Sequence, residues 1–429
     1  VVIDYTAPTS TSAVIATSGT GNANDGDVVT LTLDPSEVVG TPTCTWTDGD
    51  GAMADTSVTY GTTGSDSHTA AVTVADADQD GAVGFSCTYS DLAGNAIAAA
   101  ITSATSGSVT IDNTHPTSTS AVLAVGGSGN GNNGDDITLT LDPSETVGTP
   151  TCTFTSGGAG MANSVSYSTT GDDSHIATIT VADADTNGAV AFSCTYSDTA
   201  GNAINAAITT ASSGAVTIDN THPTASAVTI AVSGTGNGNN GDVVTLTIDP
   251  SETIGAPTCT FTSGGVAMAD SSVTYATVGG TDHHTAAVTV ADGDTDGTVA
   301  FSCTFSDTAG NAVTSAVTAL TAGSAITIDN THPTLSIVMS SNGNTGYAKA
   351  TQKVILTITA SESVRDLVCT IDGEATTMGG SGTGWTSELT ISGDETEGAA
   401  TFSCGSHVDS AGNAGSTDTT ANSGSVVID

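Results

Sequence analysis

The sequence predicts an all-β chain, a tandem array of four small antiparallel β-sandwiches. Three observations predict it: a linker motif recurs at a domain-sized interval, apolar residues alternate in short runs between turn residues, and cysteines fall two to a repeat. The linker reads Asp112-Asn-Thr-His-Pro116, then Asp219-Asn-Thr-His-Pro223 and Asp329-Asn-Thr-His-Pro333, with a looser form at Asp4-Tyr-Thr-Ala-Pro8. Proline fixes its own φ and biases its predecessor towards extended backbone. Each copy therefore reads as a stiff crossing from one domain's last strand into the next domain's first. A period this regular sets the frame for every local reading. It divides the chain into 5–112, 113–219, 220–329 and 330–429, with 1–4 as the end of a preceding repeat. Val1-Val-Ile-Asp4 and Val426-Val-Ile-Asp429 occupy the same repeat position, so the sequence reads as a segment of a longer array.

The first repeat shows the elements in order. Ser12–Ala16 is a first strand, and the Gly/Asn stretch Gly19–Gly26 turns the chain. Val29, Leu31 and Leu33 alternate with polar neighbours, the pattern of a half-buried second strand. After the turn Asp34-Pro-Ser-Glu37 come strands at Thr43–Thr47, Val58–Tyr60 and Ala70–Val74, the last two separated by a polar loop ending at His68. The turn Asp76–Gly81 leads into Ala82–Tyr89, and Ser108–Ile111 closes the repeat. Seven short strands with turn signals between them indicate a two-sheet antiparallel sandwich. The Ala-rich run 96–105 is compatible with a helical turn.

Composition narrows the partners. Three basic residues stand against 45 acidic ones, a net charge of −42, and all three (Lys349, Lys353, Arg365) lie in the fourth repeat. Neutralising phosphates takes Lys and Arg, so nucleic acid is not expected as a partner, anionic membrane surfaces are disfavoured, and cations are favoured. No apolar run approaches the ~20 residues of a spanning helix. Aromatics make up only 4% of the chain, yet the alternating β-branched residues argue against disorder. The cysteines pair by repeat: Cys44 with Cys87, Cys152 with Cys194, Cys259 with Cys303, and Cys369 with Cys404. One disulfide per repeat implies an oxidising, extracellular setting, and without CxxC spacing a zinc cluster is not expected.

Asp-x-Ala-Gly-Asn occurs at 91–95, 198–202, 307–311 and 409–413. Ser-Glu pairs end a strand at Ser36-Glu37, Ser144-Glu145, Ser251-Glu252 and Ser361-Glu362. Together with the Asp-x-Thr-x-Pro linkers, these motifs resemble bacterial Ig-like, adhesin-type tandem repeats of extracellular surface proteins. The resemblance covers all four repeats. It implies four Ig-like antiparallel β-sandwiches serving as extracellular spacers, many members of that family holding calcium at domain junctions. The cysteine pair departs from the commonest pattern of such repeats. Alternation puts Cys44 and Trp46 on one strand face, and Phe85, Cys87 and Tyr89 on another. In an Ig sandwich these two strands neighbour each other in one sheet, so a cross-strand bridge facing the core is expected, unlike the antibody-type bridge between sheets.

Alternate acids followed by glycine form the most suggestive polar motif. They are Asp76, Asp78 and Asp80 before Gly81; Asp183, Asp185 and Asn187 before Gly188; and Asp292, Asp294 and Asp296 before Gly297. This matches the front half of a calcium loop, but position twelve is Cys87 rather than Glu, so it is no EF-hand. The fourth repeat carries a shifted version, Asp394-Glu-Thr-Glu397-Gly398. Alternate loops of a sandwich lie at opposite poles, which collects these turns and the linker pairs Asp112-Asn113, Asp219-Asn220 and Asp329-Asn330 at the downstream pole of each repeat. Facing them across the junction should be Asp142, Glu145, Asp198 and Asn202, then Asp249, Glu252, Asp307 and Asn311, then Glu362, Asp409 and Asn413. So many carboxylates repel unless a divalent cation sits among them, so calcium of weak, extracellular-type affinity is expected there. Linker His115, His222 and His332 are expected to pack on the neighbouring repeat, since carboxylates suit hard ions rather than histidine-favouring metals.

Other signals are discounted. Gly129–Gly134 and Gly236–Gly241 match GxGxxG, but a strand and not a helix follows. Asp66-Ser-His68 places triad residue types side by side without a spatial arrangement. The expectation is an extracellular, non-enzymatic array forming a rod, surface layer or filament, its partners the neighbouring repeats and other copies of itself. The alternative is an adhesin whose domains bind glycan, ice or another surface.

Overall fold

The structure, a computed structural model, describes residues 3–64, 66–127, 129–171, 173–278 and 283–429; Val1 and Val2 of the expected 1–4 segment lie outside them. The chain divides into two compact units, Val1–Asn220 and Thr221–Asp429. Each unit holds two separate hydrophobic cores, one per predicted repeat. Among the described residues there is no helix, and so none long and apolar enough to cross a membrane.

In the first unit, the first repeat forms β1 (Ser10–Thr17), β2 (Val28–Pro35), β3 (Thr43–Thr47), β4 (Thr59–Thr63), β5 (Ser67–Thr73), β6 (Gly81–Ala82), β7 (Gly84–Thr88) and β8 (Thr110–Ile111). One antiparallel sheet runs β1-β2-β5-β4, while β3 pairs with β7 and β6 with β8. Alternation does the folding: Val29, Leu31 and Leu33 of β2 are fully buried and meet Ile15 of β1 and Ala70 and Val72 of β5. Each fully buried side chain of that size is worth about 1.5–3 kcal/mol. The opposing layer contributes Trp46 and Phe85, register partners whose ring centroids lie 6.1 Å apart.

The second repeat repeats the plan, and there the second sheet is continuous, in the order Ala159–Gly160, Thr151–Ser156, Gly188–Thr195, Thr217–Ile218. Local sequence explains the difference. Gly157-Gly158 takes positive φ at both residues (53° and 85°), the mirror-type turn that closes a tight hairpin, whereas the first repeat carries Asp48–Gly51 there.

All four disulfides lie within one sheet and link direct register partners, Cys44–Cys87, Cys152–Cys194, Cys259–Cys303 and Cys369–Cys404, each with Cα atoms 4.1 Å apart. The expected core-facing cross-strand bridge is what forms. Cys87 gives its own backbone hydrogen bonds to Ile101, so opposite Cys44 it occupies a non-hydrogen-bonded site, where strands approach most closely. The outward N–H of Cys44 donates to Tyr60 Oη at 2.9 Å, and Cys152 donates to Tyr167 at 2.8 Å. Each tyrosine thus ties an exposed edge strand of one sheet to the disulfide strand of the other.

The Ala-rich run is not helical. It pairs Ile101 with Cys87, then crosses to the other sheet, where Thr105 N–H donates to Ala13 O at 2.7 Å. Gly107, at φ +85°, lies so close to Ile15 that a Cβ would sit 2.0 Å from its carbonyl oxygen, and Gly214 does the same on Leu123. The crossing covers the otherwise open edge of β1.

In the second unit, the third repeat has the same two sheets, with Ala225–Val232, Val243–Pro250, His283–Thr289 and Thr274–Val278 in one of them. The fourth departs. Its strand run Thr377–Thr390 turns at Gly380 and Gly382 (φ 95° and 66°) and folds back, so that Ser387 Oγ donates to Thr376 Oγ1 at 2.7 Å.

Candidate functional site at the repeat junctions

The junction begins with the acidic turn. Asp78 is buried and faces inward: Oδ1 accepts from Ala54 N and Oδ2 from Ala75 N at 2.9 Å, so it caps its own turn and ties it to the loop after β3. Asp185 and Asp294 make the same pair of bonds. Asp76 and Asp183 are exposed, and exposed Asp292 stands 4.0 Å from His332 Nε2. Asp80 reaches the linker, accepting from Asn113 N at 2.6 Å and from Thr114 Oγ1 at 2.5 Å. Asn113 in turn donates its amide to Ala75 O and Asp78 O, and Asn330 does likewise to Ala291 O and Asp294 O. In the second repeat Asn187 replaces the aspartate and bonds Asp219 and Asn220. The linker is thereby clipped to the turn it leaves.

The next repeat supplies the opposing wall. Its Asp-x-Ala-Gly-Asn loop is self-capped: Asp198 Oδ1 accepts from Gly201 N and Asn202 N, and Asn202 Nδ2 donates to Asp198 Oδ2. The same amide reaches back across the junction to Asp112 O at 2.7 Å, and Asn413 reaches Asp329 O at 2.6 Å. Asp307 and Asn311 keep the internal cap in the third repeat. His115 Nδ1 sits 2.7 Å from Ala203 O and His332 Nδ1 2.8 Å from Ala414 O, so these linker histidines pack on the neighbouring loop. The Gly/Asn loop of the first repeat also reaches this pole, with Asn24 Nδ2 3.3 Å from Asn202 Oδ1.

These bonds bring one carboxylate oxygen each of Asp112, Glu145 and Asp198 within 4.8 Å of one another, and Asp329, Glu362 and Asp409 form the same constellation in the second unit. Asp219 belongs to the first unit, and Glu252 and Asp307 belong to the second. Asp142 does not join the group; it accepts from Thr119 and Ser174 hydroxyls. Asp249 instead lies 3.3 Å from His283 Nδ1. A further set emerges at the upstream pole of the first repeat, where Asp4, Glu37 and Asp91 converge in the same way. The signal for it was present in the looser Asp4 linker and the first Ser-Glu pair.

Electrostatics mark the glutamate as the stressed member. Burial, then Asp198, Asp112 and Asp80, push the Glu145 carboxyl above the usual range. Glu362 is raised by burial and by Asp409, Asp329 and Asp296. No Lys or Arg exists in the first three repeats to relieve this. In the fourth, Arg365 Nε donates to Asp409 O at 3.4 Å. Asn113 and Asn330 each leave a buried Oδ1 without a hydrogen-bond partner. The donor set is therefore oxygen only, which suits a hard divalent cation rather than a thiophilic metal.

Two features decide the fold family. In the first repeat β1, β2, β5 and β4 share one sheet, while β3 pairs with β7 and the last strand, β8, pairs with β6 just before β7: the arrangement of a constant-type immunoglobulin domain. The repeats are immunoglobulin-like. No family model matches the chain, and no curated protein matches it. Solved structures similar to it are tandem Ig arrays. One is a tetra-tandem repeat in the extending region of a large adhesion protein, at 17% identity, covering 97% of this chain and 99% of that one, TM-score 0.31. Another is the D1–D4 ectodomain fragment of ICAM-5, at 12% identity over 97% and 99%, TM-score 0.30. An I-band fragment of titin shares 12% identity over 76% and 100%, TM-score 0.32.

Proposed function

We propose that this chain is an extracellular, non-catalytic structural array of Ig-like repeats bounded at 5–112, 113–219, 220–329 and 330–429, with residues 1–4 ending a preceding repeat. Four disulfides and no free cysteine support the extracellular setting. Calcium rigidifies the junctions, so the array serves as a rod, surface layer or filament. The observation that carries this reading is the convergence of Asp112, Glu145 and Asp198 where no cationic side chain offsets them. Asp112, Glu145 and Asp198 would hold the ion, Asn202 would keep two of them oriented, and water would complete the 6–8 oxygens calcium takes. The ion supplies charge neutralisation and a cross-link between repeats; the chain supplies the geometry.

Calorimetric titration with calcium, beside thermal unfolding in calcium and in chelator, tests it. Calcium should raise the melting temperature, by up to ~2.7 kcal/mol of stability at a hundredfold excess over Kd. Glu145→Gln should remove the part due to the first junction, which is the cleaner site because Arg365 lies beside the other. Melting indifferent to calcium, with no heat of binding, would sink the calcium reading.

A further inference from the structure

We propose that the second repeat pairs edge to edge with the second repeat of another copy, through the strand Ser166–Thr170. This deepens the reading of the chain as a structural array and rests on it. The strand is the outermost of its sheet, bonded on one side to Ser174–Thr180, and all five of its residues are exposed. Ser166 Oγ donates to Thr178 O at 3.4 Å and Asn163 Nδ2 to Thr180 O at 2.8 Å, so the carbonyls of Thr178 and Thr180 face this edge. Bonding alternates along an antiparallel pair. Ser166, Ser168 and Thr170 therefore bond inward, and Tyr167 and Thr169 turn their N–H and C=O groups outward.

Those groups are held ready for a partner strand. Tyr167 Oη, accepting from Cys152 N at 2.8 Å, fixes the edge strand to the disulfide strand of the other sheet. The opposite edge of the same sheet is guarded. Its strand, Ser118–Val125, is bulged where Ser118 meets Pro143 and is covered by the crossing, in which Ser212 N–H donates to Ala121 O. The Ser166–Thr170 edge has no proline, no lysine and no bulge, the devices by which strands are kept from pairing with other chains.

Charge and side chains select the occupant. Copies of net charge −42 repel, so contact between them needs surface free of carboxylates. Residues 163–171 hold no acidic or basic side chain, and Val122, Thr140 and Ile176, in one cross-strand row with Ser168, are uncharged. Ser166, Ser168 and Thr170 share one face of the strand. Laid antiparallel about a two-fold axis at Ser168, this row complements itself: Ser168 meets Ser168 of the second copy, and Ser166 meets its Thr170, a ladder of hydroxyls. Tyr167 then lies opposite Thr169 of the second copy, once on each side of the axis, and each such pair exchanges two backbone hydrogen bonds. The first and third repeats have the same edge (Thr59–Thr63 and Thr274–Val278) but place Gly61 and Ala276 at the axis. Of these three, the second repeat is the one with hydroxyls along the whole row.

The test uses the 429-residue chain, whose native cysteines are all paired, in calcium buffer under mild oxidation. Ser168→Cys puts a thiol on the axis, where facing Cβ atoms stand about 4.5–5.5 Å apart, close enough for a disulfide between copies. Ser166→Cys is also exposed, on the same face, but its counterpart lies four residues along the partner strand, about 14 Å away and out of reach. Ser168→Cys should give a covalent dimer on a non-reducing gel, and Ser166→Cys should not. Adding Thr169→Pro to Ser168→Cys removes an outward donor while leaving the inner ladder intact, and should abolish the dimer. Melting of each variant checks its fold, and the comparison of the two cysteines decides the matter even if the proline variant does not fold. Dimer from both cysteines, dimer from neither, or dimer that survives the proline in a folded chain overturns the proposal. If calcium still stabilises the chain while no dimer forms, the array reading stands and the edge pairing falls. If both fail, both readings fall.

Discussion

Removing one disulfide gives the sharpest test of what holds a repeat together. Cys152→Ala with Cys194→Ala opens a loop of 42 residues in the second repeat alone. The chain-entropy relation puts the lost constraint at about 4 kcal/mol. A domain of this size has about 5–15 kcal/mol in all, so that is a large share of its stability. At 4–8 °C per kcal/mol, the melting point of this repeat should fall by roughly 15–30 °C. Differential scanning calorimetry of the whole chain is the assay, because the untouched repeats act as internal references. One transition should move down while the rest stay in place. The fourth repeat closes 35 residues, which the same relation makes weaker by only about 0.2 kcal/mol, too little to resolve. A shift below about 3 °C would refute the loop-closure account and would leave packing and the tyrosine tie as the stabilising agents.

Three further outcomes follow from the junctions and the sheet crossing. In chelator, lowering the pH from 7 towards about 4.3 should stabilise the junctions. The carboxyls of Glu37, Glu145 and Glu362 are raised in the folded state, so their favourable contribution is present below the ordinary value and lost as pH rises through the folded one. Further acidification should reverse the trend. Backbone hydrogen bonds from Ser392 and Gly393 hold Glu395 down at about 2, and those to Asp48 and Asp55 lower these too, so their contributions vanish as pH falls through their folded values. A monotonic fall in melting temperature from pH 7 downwards would contradict this. Asn202→Ala should destabilise the first junction by about 1–3 kcal/mol, since it strands buried Asp198 and the Asp112 carbonyl; hydrogen exchange at residues 110–116 reads it. Gly214→Ala should cost at least ~2 kcal/mol, because the residue sits at φ +82° with a Cβ position 1.9 Å from Leu123 O; thermal unfolding measures it.

Much of the fold was legible because period-two patterning states both strand and face. Val29, Leu31 and Leu33 point one way in sequence and one way in space. The placement of Cys44 and Cys87 followed from the same parity plus knowledge of which strands adjoin. The Ala-rich run was not legible, since its path depends on the carbonyl of Ala13 and the N–H of Ile15 some 90 residues earlier. Nor was the fourth repeat's folded-back Gly-rich strand, because glycines allow the turn without announcing it. Of the candidate site, the residue types and pole were legible, but not which oxygens point outward. Asp78 is drawn inward by two backbone N–H groups, Ala75 of its own turn and Ala54 of the loop after β3, and Asp142 by neighbouring hydroxyls, whereas Glu145, three residues on, turns to the junction. That choice is made by hydrogen bonds of a few ångströms, which spacing along the chain does not encode.

The in-sheet disulfides also set how an array of this kind would yield under load. A pulling force applied through the linkers can unravel a repeat only outside its covalent loop. The segment from Cys152 to Cys194, a sequence separation of 42, stays locked even when the sandwich has opened, which withholds about 140 Å of contour length. Each repeat then stretches to a hard stop well short of full extension. Refolding starts with its two central strands already held together.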